Sequence, residues 1–130
     1  MIALDTSSLI AYLTGEKGPD VEAAGVALEH HQAVLPPVVL SELLSDPELD
    51  GVVKKLFTHL PLLDVREGYW ERAGLLRARA LAHGRRARLA DTLIAQSCLD
   101  HGVELVTRDH DFHFFVKTGG LKLFGARTRR

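Results

Sequence analysis

Short apolar runs with the composition of β-strands alternate with segments of helical periodicity along the whole chain. Strand composition is found in "MIALD", "QAVLP", "PLLDV", "VELVT" and "LKLF". Neighbouring parallel strands need a crossover connection, usually a helix, so strands separated by helices favour parallel pairing. The sequence therefore predicts an α/β fold, a three-layer α/β/α sandwich with a mostly parallel central sheet.

Capping and stop residues predict where the helical segments begin and end. Asp20 is expected to cap the helix in "DVEAAGVALEHH", and Pro37 to occupy the first turn of "PVVLSELLSD". Gly84 and Gly102 are expected to end the two longest helices. Apolar spacing also predicts which faces of the helices are buried. In the helix over 67–83 this face contains Trp70, Ala73, Leu76 and Ala80. In the first helix, "TSSLIAYLTG", it contains Leu9, Ile10 and Leu13.

The size and composition of the chain fit one domain with a core of its own. The chain has 130 residues, of which 46% are hydrophobic and 25% charged, enough to bury a core without disulfides. We expect one domain over 1–124 and a basic tail over 125–130. Cys98 lies among apolar residues and is expected to be a buried, unreactive thiol. The sequence has neither the pattern of a secretory leader nor an apolar run of membrane length, which predicts a cytoplasmic protein without a membrane anchor.

Charge is distributed unevenly between the two halves of the sequence. Residues 1–65 contain 3 lysines and 10 acidic residues, a net charge of −7, whereas residues 66–130 contain 13 basic and 7 acidic residues, a net charge of +6. Such asymmetry is typical of proteins that present a basic surface to a polyanion.

Four acidic residues interrupt apolar segments in which an uncharged side chain would pack better. Asp5 directly follows the first strand, and Asp109 follows the strand over 103–107. Asp91 lies in the first turns of a long helix, on its inner side, and Glu42 lies in the middle of another helix. Because ligands of parallel sheets bind beyond the carboxyl ends of the strands, we expect these acids to face one crevice.

Each of these acids also has an ordinary structural explanation. Asp5 would cap the following helix and Asp91 would interact with a helix dipole, whereas Glu42 would face solvent and Asp109 would form a turn. Together the acids would repel one another, by about 1 to 4 kcal/mol for a pair about 4 Å apart. A divalent cation such as Mg²⁺ or Mn²⁺ would offset this repulsion, and so would a proton shared between two acids.

The segments "MIALDTSSLIAYL", "PPVVLSELLS", "RLADTLIAQSCLDHG" and "LVTRDHDF" together resemble the PIN-domain ribonucleases, and most closely the VapC-like toxins of bacterial toxin–antitoxin pairs. The resemblance extends from residue 1 to about residue 124 and implies one PIN-like nuclease domain. It implies an endoribonuclease dependent on Mg²⁺ or Mn²⁺, whose catalytic and metal-binding acids are Asp5, Glu42, Asp91 and Asp109. It implies supporting roles for Thr6, Ser7, Thr107 and Asp111. The implied partners are an RNA substrate, a small antitoxin protein and a second copy of the chain in a homodimer.

Arginines near the acids are candidates for contact with the phosphate backbone of RNA. They are Arg85, Arg86 and Arg88, which precede Asp91, and Arg108, which precedes Asp109. Apolar residues of the early helices, Val26 with Leu28 or Leu56 with Phe57, are candidates for an antitoxin groove. His110 and His113 are too few and too closely spaced to predict a zinc site.

Three other classes of function occur on α/β folds of this size. A PIN-like module could bind RNA or protein without catalysis. A receiver-like signalling domain would need paired acids after the first strand and a lysine after a later one, whereas "LDTSS" has one acid and no lysine follows "VELVT". A dehalogenase-like phosphatase would need an aspartate where Ser7 stands, which argues against that class.

Overall fold

A small parallel sheet lies at the centre of the molecule. In the computed structural model, which describes residues 1–125, strand β1 is Ile2–Leu4, β2 is Ala33–Val34 and β3 is Leu105–Val106. The strands lie in the order β2-β1-β3, and both pairs are parallel. Ala3 is in register with Val34 on one side and with Leu105 on the other. The predicted parallel sheet is therefore present, with β1 at its centre. Apart from Gly125, the predicted basic tail lies outside the described residues.

Helices connect and cover the strands. They are α1 (Thr6–Leu13), α2 (Pro19–Glu29), α3 (Pro37–Leu44), α4 (Gly51–Thr58), α5 (Tyr69–Ala82), α6 (Leu89–His101) and α7 (His113–Gly119), and a 3₁₀ turn at His110–Phe112 precedes α7. Helix α1 packs against α2 and α3, and α6 packs against α3 and α5. This arrangement confirms the three-layer α/β/α sandwich. No helix of residues 1–125 is both long enough and apolar enough to cross a bilayer.

Most of the predicted helix ends are confirmed, with one instructive exception. Pro37 is the first residue of α3, and Gly102 ends α6 in the left-handed conformation at φ 62°, which glycine adopts without steric cost. Asp20, however, does not cap α2, because this helix already begins at Pro19 with Gly18 in the capping position. The carboxylate of Asp20 binds other partners instead, which are described below.

Two segments predicted to be strands each contribute only one bridge to the sheet. In "PLLDV", Leu62 bridges to Leu35, and in "LKLF", Leu123 bridges to Leu105. The backbone carbonyl of Leu35 accepts from the Leu63 N–H at 2.9 Å. Leu63, Leu121 and Leu123 of these segments pack on the core, whereas Leu62 is exposed. Each segment runs beside the sheet edge for too short a distance to form a ladder.

The core consists of the strand residues and one face of each long helix. Ala3, Leu4, Leu105 and Val106 of the strands are fully or almost fully buried. In α5 the buried face contains Ala73, Leu76 and Ala80 as predicted, but its first member is Tyr69, whereas Trp70 is 62% exposed. The prediction for Trp70 was wrong because Tyr69 is four residues before Ala73 on the same side of the helix.

Several large apolar residues of the early helices stay exposed. In α1, Leu9 is buried, but the predicted burial of Ile10 and Leu13 is wrong, since both side chains face solvent. Of the candidate groove residues, Val26 and Leu56 are exposed, whereas Phe57 is only 1% exposed and belongs to the core. Phe57 is therefore unable to form part of an antitoxin groove.

Candidate active site

The carboxyl ends of β1 and β3 place acidic side chains beside each other. Asp5 directly follows β1, and Asp109 follows β3 by three residues. Asp91 joins them from the first turn of α6. One carboxylate oxygen each from Asp91, Asp109 and Asp111 lies within 4.8 Å of the other two. We call these residues the carboxylate cluster.

Asp5 is a buried acid held by two hydroxyl groups. Its side chain is almost completely inaccessible, and Ser7 Oγ and Thr107 Oγ1 each donate a hydrogen bond of 2.7 Å to Asp5 Oδ2. Burial raises the pKa of Asp5, the two hydroxyl groups oppose that rise, and the charge of Glu42 adds to it. Asp5 occupies the position before α1, as a cap would, but its carboxylate is bonded to these hydroxyls instead of capping the first turn of the helix.

Glu42 lies at the exposed edge of the site. It projects from α3, and Thr6 Oγ1 donates a hydrogen bond of 2.7 Å to Glu42 Oε1. The negative charge of Glu42 contributes to the raised pKa values of both Asp5 and Asp91. The four acids predicted from the sequence thus interact with one another, although Glu42 and Asp5 lie outside the carboxylate cluster.

Asp91 has the most perturbed carboxyl group of the site. Its pKa is raised to about 6, first by partial burial and then by the charges of Asp109 and Asp5, with a smaller contribution from Glu42. The guanidinium of Arg88 opposes this shift. A carboxyl group that titrates near neutrality among other acids is typical of a functional site, because a structure without a ligand gains nothing from such repulsion.

Thr107 connects the two halves of the site. Its hydroxyl donates to Asp5 and accepts a hydrogen bond of 3.0 Å from the Asp109 N–H. Asp109 in turn accepts a hydrogen bond of 2.9 Å from the Asp111 N–H. This bond caps the 3₁₀ turn that precedes α7. One threonine therefore fixes the buried Asp5 relative to the turn that carries Asp109 and Asp111.

The donor atoms of the carboxylate cluster fit a hard divalent cation. All of them are carboxylate oxygens, and Mg²⁺ and Mn²⁺ prefer oxygen ligands, with water completing the octahedron. His110 and His113 lie next to each other, with their ring centroids 5.5 Å apart, but the cluster of residues 1–125 that could hold an ion consists of carboxylates.

A basic pocket adjoins the carboxylate cluster. Asp91 and Asp111 line it on one side, and its other polar lining residues are mainly cations and histidines, namely His83, Arg85, Arg86, His110, His113 and Lys117. The guanidinium of Arg85 lies over the ring of Phe114, 5.6 Å from its centroid, which holds the group in place without using its N–H donors. The sequence did not single out Lys117 or His83, because both residue types are common on solvated surfaces.

Arg108 lies in a different environment from the other candidate arginines. Its guanidinium binds Asp20 and Glu16 on the side of α2. The contribution of Asp20 to this region was missed, since a pairing of residues 88 positions apart leaves no pattern in the sequence. Cys98 is buried as predicted, and burial raises the pKa of its thiol to about 12, so it is not a nucleophile.

Comparisons with known proteins agree with this geometry. The family model described as "PIN domain" matches residues 2–116. No functionally curated protein matches the sequence at a significant level. Among solved structures, similar folds occur in VapBC-5 of Mycobacterium tuberculosis, a member of the VapBC family of toxin-antitoxin systems, with 20% identity over 94% of this chain and 95% of that chain and a TM-score of 0.64. VapBC2 from Rickettsia felis, bound to a DNA fragment from its promoter, has 20% identity over 95% and 97% of the two chains and a TM-score of 0.71. FitAcB from Neisseria gonorrhoeae has 24% identity over 95% and 96% and a TM-score of 0.67.

Proposed function

The chain belongs to the PIN-domain family, and on that premise we propose that it is a metal-dependent endoribonuclease that hydrolyses phosphodiester bonds in RNA. The observation that carries the proposal is the convergence of the carboxylate cluster, Asp5 and Glu42 at the carboxyl ends of β1 and β3. Most acids in proteins are solvated, whereas burial and the charges of neighbouring acids raise the pKa values of Asp5 and Asp91. The nuclease domain proposed here covers 1–124.

Asp91, Asp109 and Asp111 are the proposed ligands of Mg²⁺ or Mn²⁺, with Asp5 and Glu42 as further acids of the centre. Such an ion, when bound by these residues, would offset the repulsion of the carboxylates and would supply Lewis-acid chemistry for phosphodiester hydrolysis. Asp5 is suited to a fixed role, because Ser7 and Thr107 hold its carboxylate in one orientation. Glu42 is exposed and aligned by Thr6, so it is placed to orient the attacking water.

The basic pocket is the proposed path of the RNA backbone. It shares Asp91 and Asp111 with the carboxylate cluster, so a strand lying in it would present a phosphate to the acids. Within residues 1–125, neither Arg86 nor Lys117 forms an ion pair with an acidic side chain. Arg88 is exposed at the start of α6 and extends the same basic region. Arg108 is left out of this proposal, because Asp20 and Glu16 already bind its guanidinium.

Cleavage of a labelled RNA pool by the purified chain tests the activity. The wild type should cut RNA with Mg²⁺ or Mn²⁺, EDTA should stop the reaction, and Asp109→Asn should be inactive while it keeps the wild-type fold by circular dichroism. Glu29→Gln is the matched control, because Glu29 is an exposed acid at the end of α2. Equal cleavage by wild type and Asp109→Asn would refute the assignment of the site. RNA binding without cleavage by the wild type would favour a binding module instead.

We further propose that the protein acts in the cytoplasm as the toxin of a toxin–antitoxin pair, as a homodimer held inactive by a small antitoxin. Support comes from the VapBC structures that share its fold and from the exposed apolar side chains of α1, α2 and α4, which are Ile10, Leu13, Val26, Val52 and Leu56. Induced expression should arrest bacterial growth, whereas Asp109→Asn should not. Light scattering of the purified chain tests the dimer, and a monomeric mass would contradict it.

A further inference from the structure

Arg108 lies between two residues of the candidate site but binds elsewhere. Its neighbours are Thr107, which holds Asp5, and Asp109, a member of the carboxylate cluster. The guanidinium of Arg108 donates from Nε to Asp20 Oδ2 at 2.8 Å and from Nη2 to Asp20 Oδ1 at 3.0 Å. A third nitrogen, Nη1, donates to Glu16 Oε1 at 2.9 Å, and Nη2 also contacts the carbonyl of Lys17 at 3.2 Å.

Asp20 also accepts a hydrogen bond from the first turn of α1. Ser8, which is fully buried, donates a hydrogen bond of 2.9 Å to Asp20 Oδ2. The same carboxylate therefore bonds to the segment that follows β1 and to the segment that follows β3. These are the two segments that carry Asp5 and Asp109, so this bridge acts together with the Thr107–Asp5 bond in setting the distance between the two acids.

The chemistry of the bridge makes it stiff. A guanidinium that binds both oxygens of a carboxylate is fixed in direction as well as in distance. Only 14% of the Asp20 side chain and 31% of the Arg108 side chain are accessible, so solvent screens the pair less than an ordinary surface pair. The pKa of Asp20 is lowered, first by its hydrogen bonds to Arg108, as expected for a permanently charged partner.

We propose that Arg108 and Asp20 are positioning residues, which bridge the ends of β1 and β3 and thereby set the geometry of the metal-binding acids. This inference rests on the proposed function. It also gives Arg108 a role other than the RNA contact expected from its sequence position. Residues that orient metal ligands without touching the metal change metal affinity by about 10- to 100-fold when they are replaced.

Mn²⁺ binding by the RNA-free protein, measured by calorimetry, tests the proposal with Asp20→Asn and Arg108→Lys. Both variants should weaken Mn²⁺ binding by about tenfold or more and leave RNA affinity in EDTA unchanged. Arg108→Lys is informative because it keeps the positive charge but is unable to bind both carboxylate oxygens. Loss of RNA affinity with unchanged Mn²⁺ affinity would overturn the positioning role and restore the RNA contact.

Asp100→Asn provides a matched control at the opposite end of α6 from Asp91. Arg72 binds both oxygens of Asp100 at 3.0 and 2.7 Å, and only 8% of the Asp100 side chain is accessible, so this pair resembles the Arg108–Asp20 pair. Asp100→Asn should lower the free energy of unfolding to a similar extent but leave Mn²⁺ affinity unchanged. An equal loss of Mn²⁺ affinity in Asp100→Asn would show a general effect of stability and overturn the proposal.

The positioning role and the proposed function can fail separately. Equal Mn²⁺ affinity of Asp20→Asn and wild type would overturn the positioning role alone. A wild type that binds no Mn²⁺ would overturn the proposed function as well.

Discussion

At the scale of single residues, the hydroxyl of Thr107 joins two acids of the candidate site. It stabilises the buried carboxylate of Asp5 and accepts from the Asp109 backbone. Thr107→Val keeps the shape of the side chain but removes both bonds, so urea unfolding should show a loss of about 1 to 3 kcal/mol. Thr107→Ser should restore most of it, because the hydroxyl is retained. If the serine variant were as unstable as the valine variant, packing of the methyl group would explain the loss instead.

The raised pKa of Asp91 predicts how the stability of the metal-free protein depends on pH. Because the folded-state pKa of about 6 lies above the unfolded value of 3.8, the folded protein holds the proton more tightly. Stability from this group is therefore present at low pH and is lost as the pH rises through about 6. Asp91→Asn should stabilise the protein in EDTA at pH 7 by about 1 to 2 kcal/mol, reduced for solvent screening.

The measurement is the free energy of unfolding of both proteins at pH 7 and at pH 5. The gain from Asp91→Asn should shrink at pH 5, where the wild-type carboxyl is largely protonated. A gain that is equal at both pH values would show that charge repulsion at Asp91 is not its cause.

The sequence led us to expect Asp5, Glu42, Asp91 and Asp109 in one crevice, but it did not place Asp111 among the clustered acids or indicate how the acids are held. Asp5 and Asp109 could be placed because each follows a strand, and Asp91 because it interrupts the apolar side of a helix. The bond from Thr6 to Glu42 and the bridge from Arg108 to Asp20 could not be predicted. These contacts join residues that are distant in the sequence and of types that are common on surfaces.

At the scale of elements, α4 depends on a cap that is independent of the site. The carboxylate of Asp50 accepts hydrogen bonds from the N–H groups of Val52 and Val53, at 3.0 and 3.3 Å. Asp50→Ala should therefore cost about 0.5 to 2 kcal/mol in thermal or urea unfolding, with Mn²⁺ affinity unchanged. Asp64→Ala is the control, since Asp64 is an exposed loop residue whose backbone carbonyl, and not its side chain, lies within hydrogen-bond distance of His101 Nε2. Equal losses in both variants would contradict a capping role.

Helices were predicted more accurately than strands for a physical reason. A helix carries its hydrogen bonds within its own segment, so its start and stop residues can be read from the sequence. A strand ends where its partner ends, and β2 and β3 have only two residues each. "PLLDV" and "LKLF" have the composition of strands but meet the sheet at a single residue pair each, which composition does not reveal.

At the scale of the whole molecule, the two oppositely charged halves of the sequence meet at one site. Asp5 and Glu42 come from the acidic half, whereas the carboxylate cluster and the basic pocket come from the other half. The acidic and basic halves of the sequence therefore both contribute side chains to the candidate site, although they are separate along the chain. The parallel crossover connections bring the halves together, because they place successive strand ends at the same edge of the sheet.

This arrangement predicts the salt dependence of RNA binding. If Arg85 and Arg86 each neutralise a phosphate of single-stranded RNA, Arg85→Gln with Arg86→Gln should reduce the slope of log affinity against log salt concentration by about 1 to 2. Arg79→Gln is the control, because this exposed arginine of α5 lines a different cavity. Titrations of fluorescent RNA in EDTA at several salt concentrations measure the slope. The same slope in the double variant and the wild type would place the RNA elsewhere.

We infer that the converging acids form a metal centre and are not merely structural. Calorimetric titration of Mn²⁺ into the wild type and into Asp109→Asn at neutral pH tests it most directly, since it requires neither substrate nor partner. The wild type should bind Mn²⁺, and Asp109→Asn, with one ligand of the carboxylate cluster removed, should bind it far more weakly. Absence of binding to the wild type, or equal affinity in the two proteins, would contradict the claim.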